Sequence, residues 1–214
     1  MVPFFLRGVH MSQALSDDAI LAAFKGTNAY REGHFILSSG KRSGVYVQCA
    51  LLMADPVRAE MLCRALAARI AALIEASDSL EQPQLVVSPA MGGVIVGYEL
   101  ARHIGLRAIF AERPDGRFIF RRDFEIPSGT PCLMVEDVVT TGKSSRECIA
   151  AIEAAGGRAV MAACLVDRSG GRADLGIPLV ALTAVDAPIY EPDNLPSELA
   201  AIEPVKPGSR RELR

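Results

Sequence analysis

Glu136 and Asp137 stand side by side in the stretch CLMVEDVVTTGKSS, which runs from Cys132 to Ser145. The stretch begins apolar, places the two carboxylates together, and then turns to small hydroxyl residues and glycine. Thr140, Thr141, Gly142, Lys143 and Ser144 offer backbone N–H groups and hydroxyls where a strand hands over to a helix, an arrangement that surrounds an anion at a helix N-terminus. A phosphate fits there. The carboxylates, one step earlier, stand too close to that anion to touch it comfortably, yet they can accept hydrogen bonds from neighbouring hydroxyls. A sugar phosphate presents both features, a phosphate for the loop and a diol for the acids. An acidic turn that merely caps a helix accounts for one carboxylate near the positive helix end, but not for two after an apolar strand. Gly142-Lys143-Ser144 also matches the end of a P-loop, but that motif needs a glycine where this chain has Asp137, so the match fails.

The surrounding elements can be read from periodicity and punctuation. Ser16-Asp17-Asp18 caps a helix that runs to about Lys25. HFILSSGKRSGVYVQCALL, residues 34–52, contains two β-rich runs separated by Ser, Gly and Lys, which predicts a hairpin standing apart from the main sheet. Pro56 opens a long helix to about Glu75, followed by a strand at QLVVSP and a turn from Ala90 to Gly93. VIVGYELARHIG reads as a helix ended by Gly105, and RAIFAE as a strand. The arginine-rich connection from Arg113 to Arg122 is too polar for core and is expected to project as a hairpin or mobile flap. The strand CLMV, a helix from Lys143 to Ala155 stopped by Gly156-Gly157, and the strand RAVMAACLVDR follow.

Apolar strands alternating with helices indicate an α/β fold, a central mostly parallel sheet flanked by helices. Ligands of such sheets gather beyond the carboxyl ends of the strands. Pro89 to Gly93, Glu136 to Ser144 and Asp167 to Gly171 therefore become the candidate site connections.

Composition narrows the function class. The chain has 214 residues, half of them hydrophobic, enough for one domain with a substantial core. With 23 basic against 25 acidic residues, no Trp and few aromatics, it offers neither a phosphate-backbone stripe nor a base-stacking platform, and nucleic acid is not expected as a partner. Cys49, Cys63, Cys132, Cys148 and Cys164 are scattered through apolar runs without CxxC spacing, which points to a reducing cytoplasm. No stretch reaches the roughly 18 to 20 apolar residues of a membrane span. Residues 1–10 lack the features of a signal peptide and read as a poorly ordered extension before a single domain over 11–214. No His or Cys cluster has metal-ligand spacing, and neither His34 nor His103 is placed as a catalyst.

VEDVVTTGKS resembles the signature of the type I phosphoribosyltransferases, which bind 5-phosphoribosyl 1-diphosphate. The resemblance implies the fold of that family, with Glu136 and Asp137 as its paired acids and Thr140 to Ser144 as its phosphate loop, Val138 and Val139 adjoining as substrate-binding positions. HFILSSGKRSGVYVQ is similar to the N-terminal hood of the orotate phosphoribosyltransferases, which would occupy about residues 11–50, and LVDRSGG to their Asp-Arg turn. With SPAMGG the resemblance spans roughly residues 33–171. Orotate is planar and carries a carboxylate, which suits the fork of Arg168, with Thr140 also reaching the base.

The chain departs from the pattern in three places. Ser38 replaces a hood lysine and leaves Lys41 as the nearest cation in sequence. Gly92 stands where many members have lysine, so Gly92 and Gly93 are expected to meet diphosphate through backbone N–H groups. ERPDGRFIFRR contains no histidine, and Arg113 is read as the cation that meets diphosphate across a homodimer interface, the other arginines being solvated.

The resemblance further implies Mg2+ carried by substrate and water rather than by direct protein ligands. The implied reaction is transfer of phosphoribosyl to orotate in pyrimidine (UMP) biosynthesis, through an oxocarbenium-like state. A purine phosphoribosyltransferase and a non-catalytic nucleotide-binding regulator of the same fold are the alternatives.

Overall fold

The computed structural model describes residues 15–37 and 39–207. Residues 1–10 and Ser38, for which an extension and a substrate contact are expected, lie outside the described residues. In chain order the elements are α1 (Asp17–Gly26), β1 (Tyr30–Ile36), β2 (Arg42–Val47), α2 (Cys49–Met53), α3 (Pro56–Glu75), β3 (Leu85–Pro89) and α4 (Gly92–Ile104). They continue with β4 (Arg107–Ala111), β5 (Pro131–Val139), α5 (Lys143–Ala154), β6 (Arg158–Asp167), β7 (Leu179–Ala184), β8 (Ile189–Tyr190) and α6 (Ser197–Ala200).

Local chemistry explains the helix ends. Ser16 Oγ accepts from Ala19 N at 3.2 Å to start α1. Asp55 accepts from the Val57 and Arg58 N–H groups while Pro56 takes the first position of α3, where its missing N–H costs nothing. Gly105, at φ +74°, ends α4 in the left-handed conformation that glycine adopts without strain.

Five parallel strands form the main sheet in the order β4-β3-β5-β6-β7. From β3 the chain crosses through α4 to β4 on one side; from β5 it crosses through α5 to β6 on the other. The direction of winding therefore reverses between β3 and β5, and the carboxyl ends of those two strands open a crevice. Helices α1 to α4 cover one face, where Leu62, Leu66, Ile70, Leu100 and Ile104 pack with Leu133, Val135 and Leu165. On the other face α5 brings Cys148 and Ile152 against Val87 and Met134. Burying each large aliphatic side chain contributes about 1.5–3 kcal/mol. Helix α4 lies so close to β3 that a Cβ on Gly97 would come within 2.0 Å of Ser88 Oγ.

The arginine-rich connection takes the hairpin form of the two expected for it, with residues 113–117 exposed. Glu112 and Ile119 exchange both backbone hydrogen bonds at 2.9 Å, which makes a short hairpin. Phe118 and Ile126 are buried with α5, and Phe120 and Phe124 pack partly against them. Apolar residues set among the arginines thus anchor the segment, while Arg122 donates to Glu112 at 2.8 Å.

The predicted hairpin forms from β1 and β2, and a contribution from the far end of the chain completes it. Strand β8 adds to β2, Phe35 bridges Val205, and His34 Nδ1 lies 2.9 Å from Ile202 O. Strand β7, which the sequence reading did not anticipate, closes the edge of the main sheet beside β6.

Candidate active site

Strand β5 runs past the paired acids to Val139, with Glu136 opposite Cys164 and Val138 opposite Val166. Successive strand residues point to opposite faces. Glu136 accordingly faces α5, where its Oε2 accepts from Ser145 Oγ; both residues are buried. Asp137 turns the other way, toward the start of α4. Its carboxylate is supported by the Val138 backbone N–H, and its carbonyl lies 3.8 Å from Cys49 Sγ.

Burial raises both carboxyls above their ordinary range. For Glu136 the hydrogen bonds from Ser145 and Ser144 and the positive charge of Arg113 oppose the rise, and neighbouring Asp137 adds to it. For Asp137 the backbone N–H groups oppose it. The two acids are held differently, since Glu136 is tied to α5 by Ser145 whereas Asp137 lies against the start of α4.

The segment after β5 turns through a left-handed glycine into an uncapped helix start. Gly142 precedes α5 at φ +72°, and a Cβ there would come within 2.8 Å of Leu175 Cδ2 and 2.9 Å of an Arg146 nitrogen. No side chain caps α5, and Lys143 N makes only a 3.4 Å approach to Thr141 Oγ1, so the first N–H groups of the helix are left for other acceptors. Thr140 and Thr141 are exposed, and Lys143 reaches toward Glu147 at 3.9 Å. Helix α4 is equally uncapped, with Gly92 exposed at its first turn. The N-terminus of α4, which bears partial positive charge, thus lies against the Asp137 carboxylate.

The remaining sequence-predicted residues separate into those that face the crevice and those held elsewhere. Gly93 is buried and packs on β5, where a Cβ would meet Val135 O at 2.9 Å. Val138 and Val139 lie within the strand, and Val139 O accepts from Arg168 N at 2.8 Å. Arg113 lies over the Phe118 ring at 4.0 Å and donates to Glu147, a residue of its own chain. Lys41 pairs with Glu191 at 2.6 Å.

Arg168, at the end of β6, is half-buried, and its side chain makes no hydrogen bond or ion pair among the described residues. Asp167 does not pair with it, because the Asp167 carboxylate accepts from Ser169 N at 2.7 Å and shapes the turn. Burial lowers the pKa of Arg168 from its ordinary value, while neighbouring Cys49 and Tyr46 favour the charged form.

A separate groove of about 560 Å³ lies between α1 and the β7 edge, lined in part by Asp18, Tyr30, Arg69 and Asp186. Its arginine is already engaged, 3.4 Å from Asp17 and 3.3 Å from Ala181 O, so the uncommitted charge lies in the crevice. Ser145 and Glu147 escaped the sequence reading. The buried positions of α5 at Ser145, Cys148, Ile149 and Ile152 repeat at helical spacing, and that signal would have placed Ser145 beneath the acids.

The family described as phosphoribosyl transferase domain matches residues 58–183. A protein of Methylorubrum populi named orotate phosphoribosyltransferase is 53% identical over 197 residues, covering 92% of this chain and 97% of that one. One of the same name from Novosphingobium aromaticivorans is 55% identical over 194 residues, covering 91% and 97%. The crystal structure of orotate phosphoribosyltransferase from Aeropyrum pernix superposes with a TM-score of 0.60 at 25% identity, covering 77% of this chain and 93% of that one.

Proposed function

The chain belongs to the phosphoribosyl transferase family and, within it, to the orotate phosphoribosyltransferases; from that premise we propose how its own residues divide the two substrates. The reaction joins orotate to 5-phosphoribosyl 1-diphosphate, giving orotidine 5′-monophosphate and diphosphate, a step of pyrimidine biosynthesis. The bond from the ribose anomeric carbon to diphosphate breaks while a bond to the anionic ring nitrogen of orotate forms, so no strong protein base is needed.

The observation that carries the assignment of roles is Arg168, a half-buried guanidinium without an acceptor among the described residues, beside a crevice bounded by an acid pair and two open helix N-termini. A carboxylated pyrimidine supplies the missing acceptor. The 5′-phosphate takes the cradle of Thr140, Thr141, Gly142, Lys143 and Ser144, and diphosphate takes the start of α4 at Gly92. Asp137 accepts from the ribose hydroxyls and favours the positive charge that grows on the sugar, and Glu136, held by Ser145, adds its charge from below. Thr140 closes on the base.

Mg2+ fits the donor set, since one carboxylate facing the crevice suits a cation that keeps its waters and binds mainly substrate oxygens. When bound it neutralises the leaving diphosphate. Arg113 contributes positive charge at the same end, reaching into a neighbouring site of a homodimer. The surface that supports such a dimer is the exposed stripe Met91, Ile95 and Tyr98, spaced for one face of α4. All five cysteines are free and buried, which accords with a cytoplasmic protein, and no helix among the described residues is long and apolar enough to cross a membrane.

The test is direct: with magnesium and phosphoribosyl diphosphate, orotate absorbance should fall, and hypoxanthine or adenine should give no nucleotide. Turnover of a purine in place of orotate, or binding without turnover, would overturn the reading.

A further inference from the structure

The hood carries a second arginine that no acceptor among the described residues engages. Arg31 on β1 lies directly across from Tyr46 on β2, with its guanidinium carbon 4.9 Å from the Tyr46 ring centre and 5.6 Å from that of Phe35. The two rings themselves are 5.6 Å apart. Its Nε is buried without a hydrogen-bond partner, and no carboxylate among the described residues pairs with it. The other hood cations differ in this respect: Lys25 is 3.7 Å from Glu32, Lys41 is 2.6 Å from Glu191, and Arg42 donates to Gly40 O.

Stacking on aromatic rings fixes the plane of a guanidinium but satisfies none of its N–H donors, which all lie in that plane. A buried donor left unsatisfied carries its full desolvation cost, so the arrangement asks for an acceptor from outside the fold. Tyr46 also neighbours Arg168, the unpaired arginine of the crevice. One tyrosine of the hood is thus packed against one uncommitted arginine and within electrostatic reach of another, on the main sheet. Both offer planar forks that suit a planar anion.

We propose that Arg31 is a specificity-determining residue that supplies a second cation to the carboxylated pyrimidine, with Tyr46 holding its fork in place. This rests on the orotate reading of the site. Lys41, the nearest cation to Ser38 in sequence, is already held by Glu191 and leaves that charge to Arg31.

Steady-state kinetics of Arg31→Gln and Arg31→Lys in the full chain test this, together with competition by orotate methyl ester, which keeps the ring but lacks the charge. Arg31→Gln should raise the orotate KM by about tenfold or more and leave that for phosphoribosyl diphosphate within about twofold. It should weaken orotate far more than the ester, and Arg31→Lys should recover part of the loss. Equal weakening of orotate and ester would make Arg31 a structural support for Tyr46 and overturn the proposal, as would an unchanged orotate KM. A wild-type chain that makes no orotidine monophosphate would overturn the functional reading itself.

Discussion

A Cβ on Gly92 would stand 2.6 Å from Oδ1 and 2.8 Å from Oδ2 of Asp137. The carboxylate thus occupies the space that any side chain at the start of α4 would need, and the glycine in place of a family lysine is a condition of where Asp137 lies. Such separations are shorter than real Cβ contacts, so something must shift. Asp137 is the end of a short side chain on a paired strand and can yield only by leaving its place.

Gly92→Ala should therefore lower kcat/KM by about 10²-fold, the order expected when a catalytic group is displaced by about an ångström. Its thermal midpoint should stay close to that of the wild type, since Gly92 is exposed. Full turnover in this variant would show that the site tolerates a moved carboxylate.

Burial raises the folded-state pKa of both Glu136 and Asp137. The stability such groups contribute is present below the ordinary carboxylate pKa and is lost as pH rises through the raised folded value, so at neutral pH their charge works against the fold. Asp137→Asn should accordingly keep or raise the thermal midpoint at pH 7 while lowering turnover on the order of 10²- to 10³-fold. In the wild type the acid limb of kcat/KM should lie above the ordinary carboxylate value of about 4. A destabilised Asp137→Asn protein would make Asp137 a structural residue.

Arg168→Ala removes a half-buried cation from which no described protein group accepts. It should raise the orotate KM by a cost on the order of 1.5 to 3 kcal/mol, with little change for phosphoribosyl diphosphate and no loss of stability. Equal effects on both substrates would sink the assignment.

Arg113 donates to Glu147 of its own chain, whereas the proposed dimer has it serve a neighbour. Mixing Arg113→Ala subunits with Asp137→Asn subunits distinguishes the two arrangements. If Arg113 acts across the interface, one of the two heterodimer sites receives both intact residues and activity returns. Mixtures that remain inactive after confirmed subunit exchange would place its action within its own chain.

Much of the site was legible because its chemistry is local. Glu136 to Ser144 are consecutive in the chain, and a strand end followed by a glycine and a helix start can be read from the order of residue types. The parallel sheet was legible for the same reason, since apolar runs and helical periods alternate. In residues 113–122 charge is the stronger signal and masks the phenylalanines set among the arginines, of which buried Phe118 anchors the segment. Strand β7 carries the β-rich run LVALTA after Pro178, a signal left unused.

The acid pair, the glycine turn into α5 and the arginine at the end of an apolar strand all follow from residue order alone. Packing in three dimensions settles what that order leaves open: Glu136 and Asp137 face opposite sides of β5, Gly92 makes room for one of them, and Ser145 binds the other. It also settles that the hairpin is completed by β8, whose two residues are too short to show a period, and that Lys41 is taken by Glu191 while Arg31 and Arg168 find no acceptor among the described residues. Residue order fixes which groups are neighbours along the chain, but which donors end up without acceptors depends on every element that packs around them.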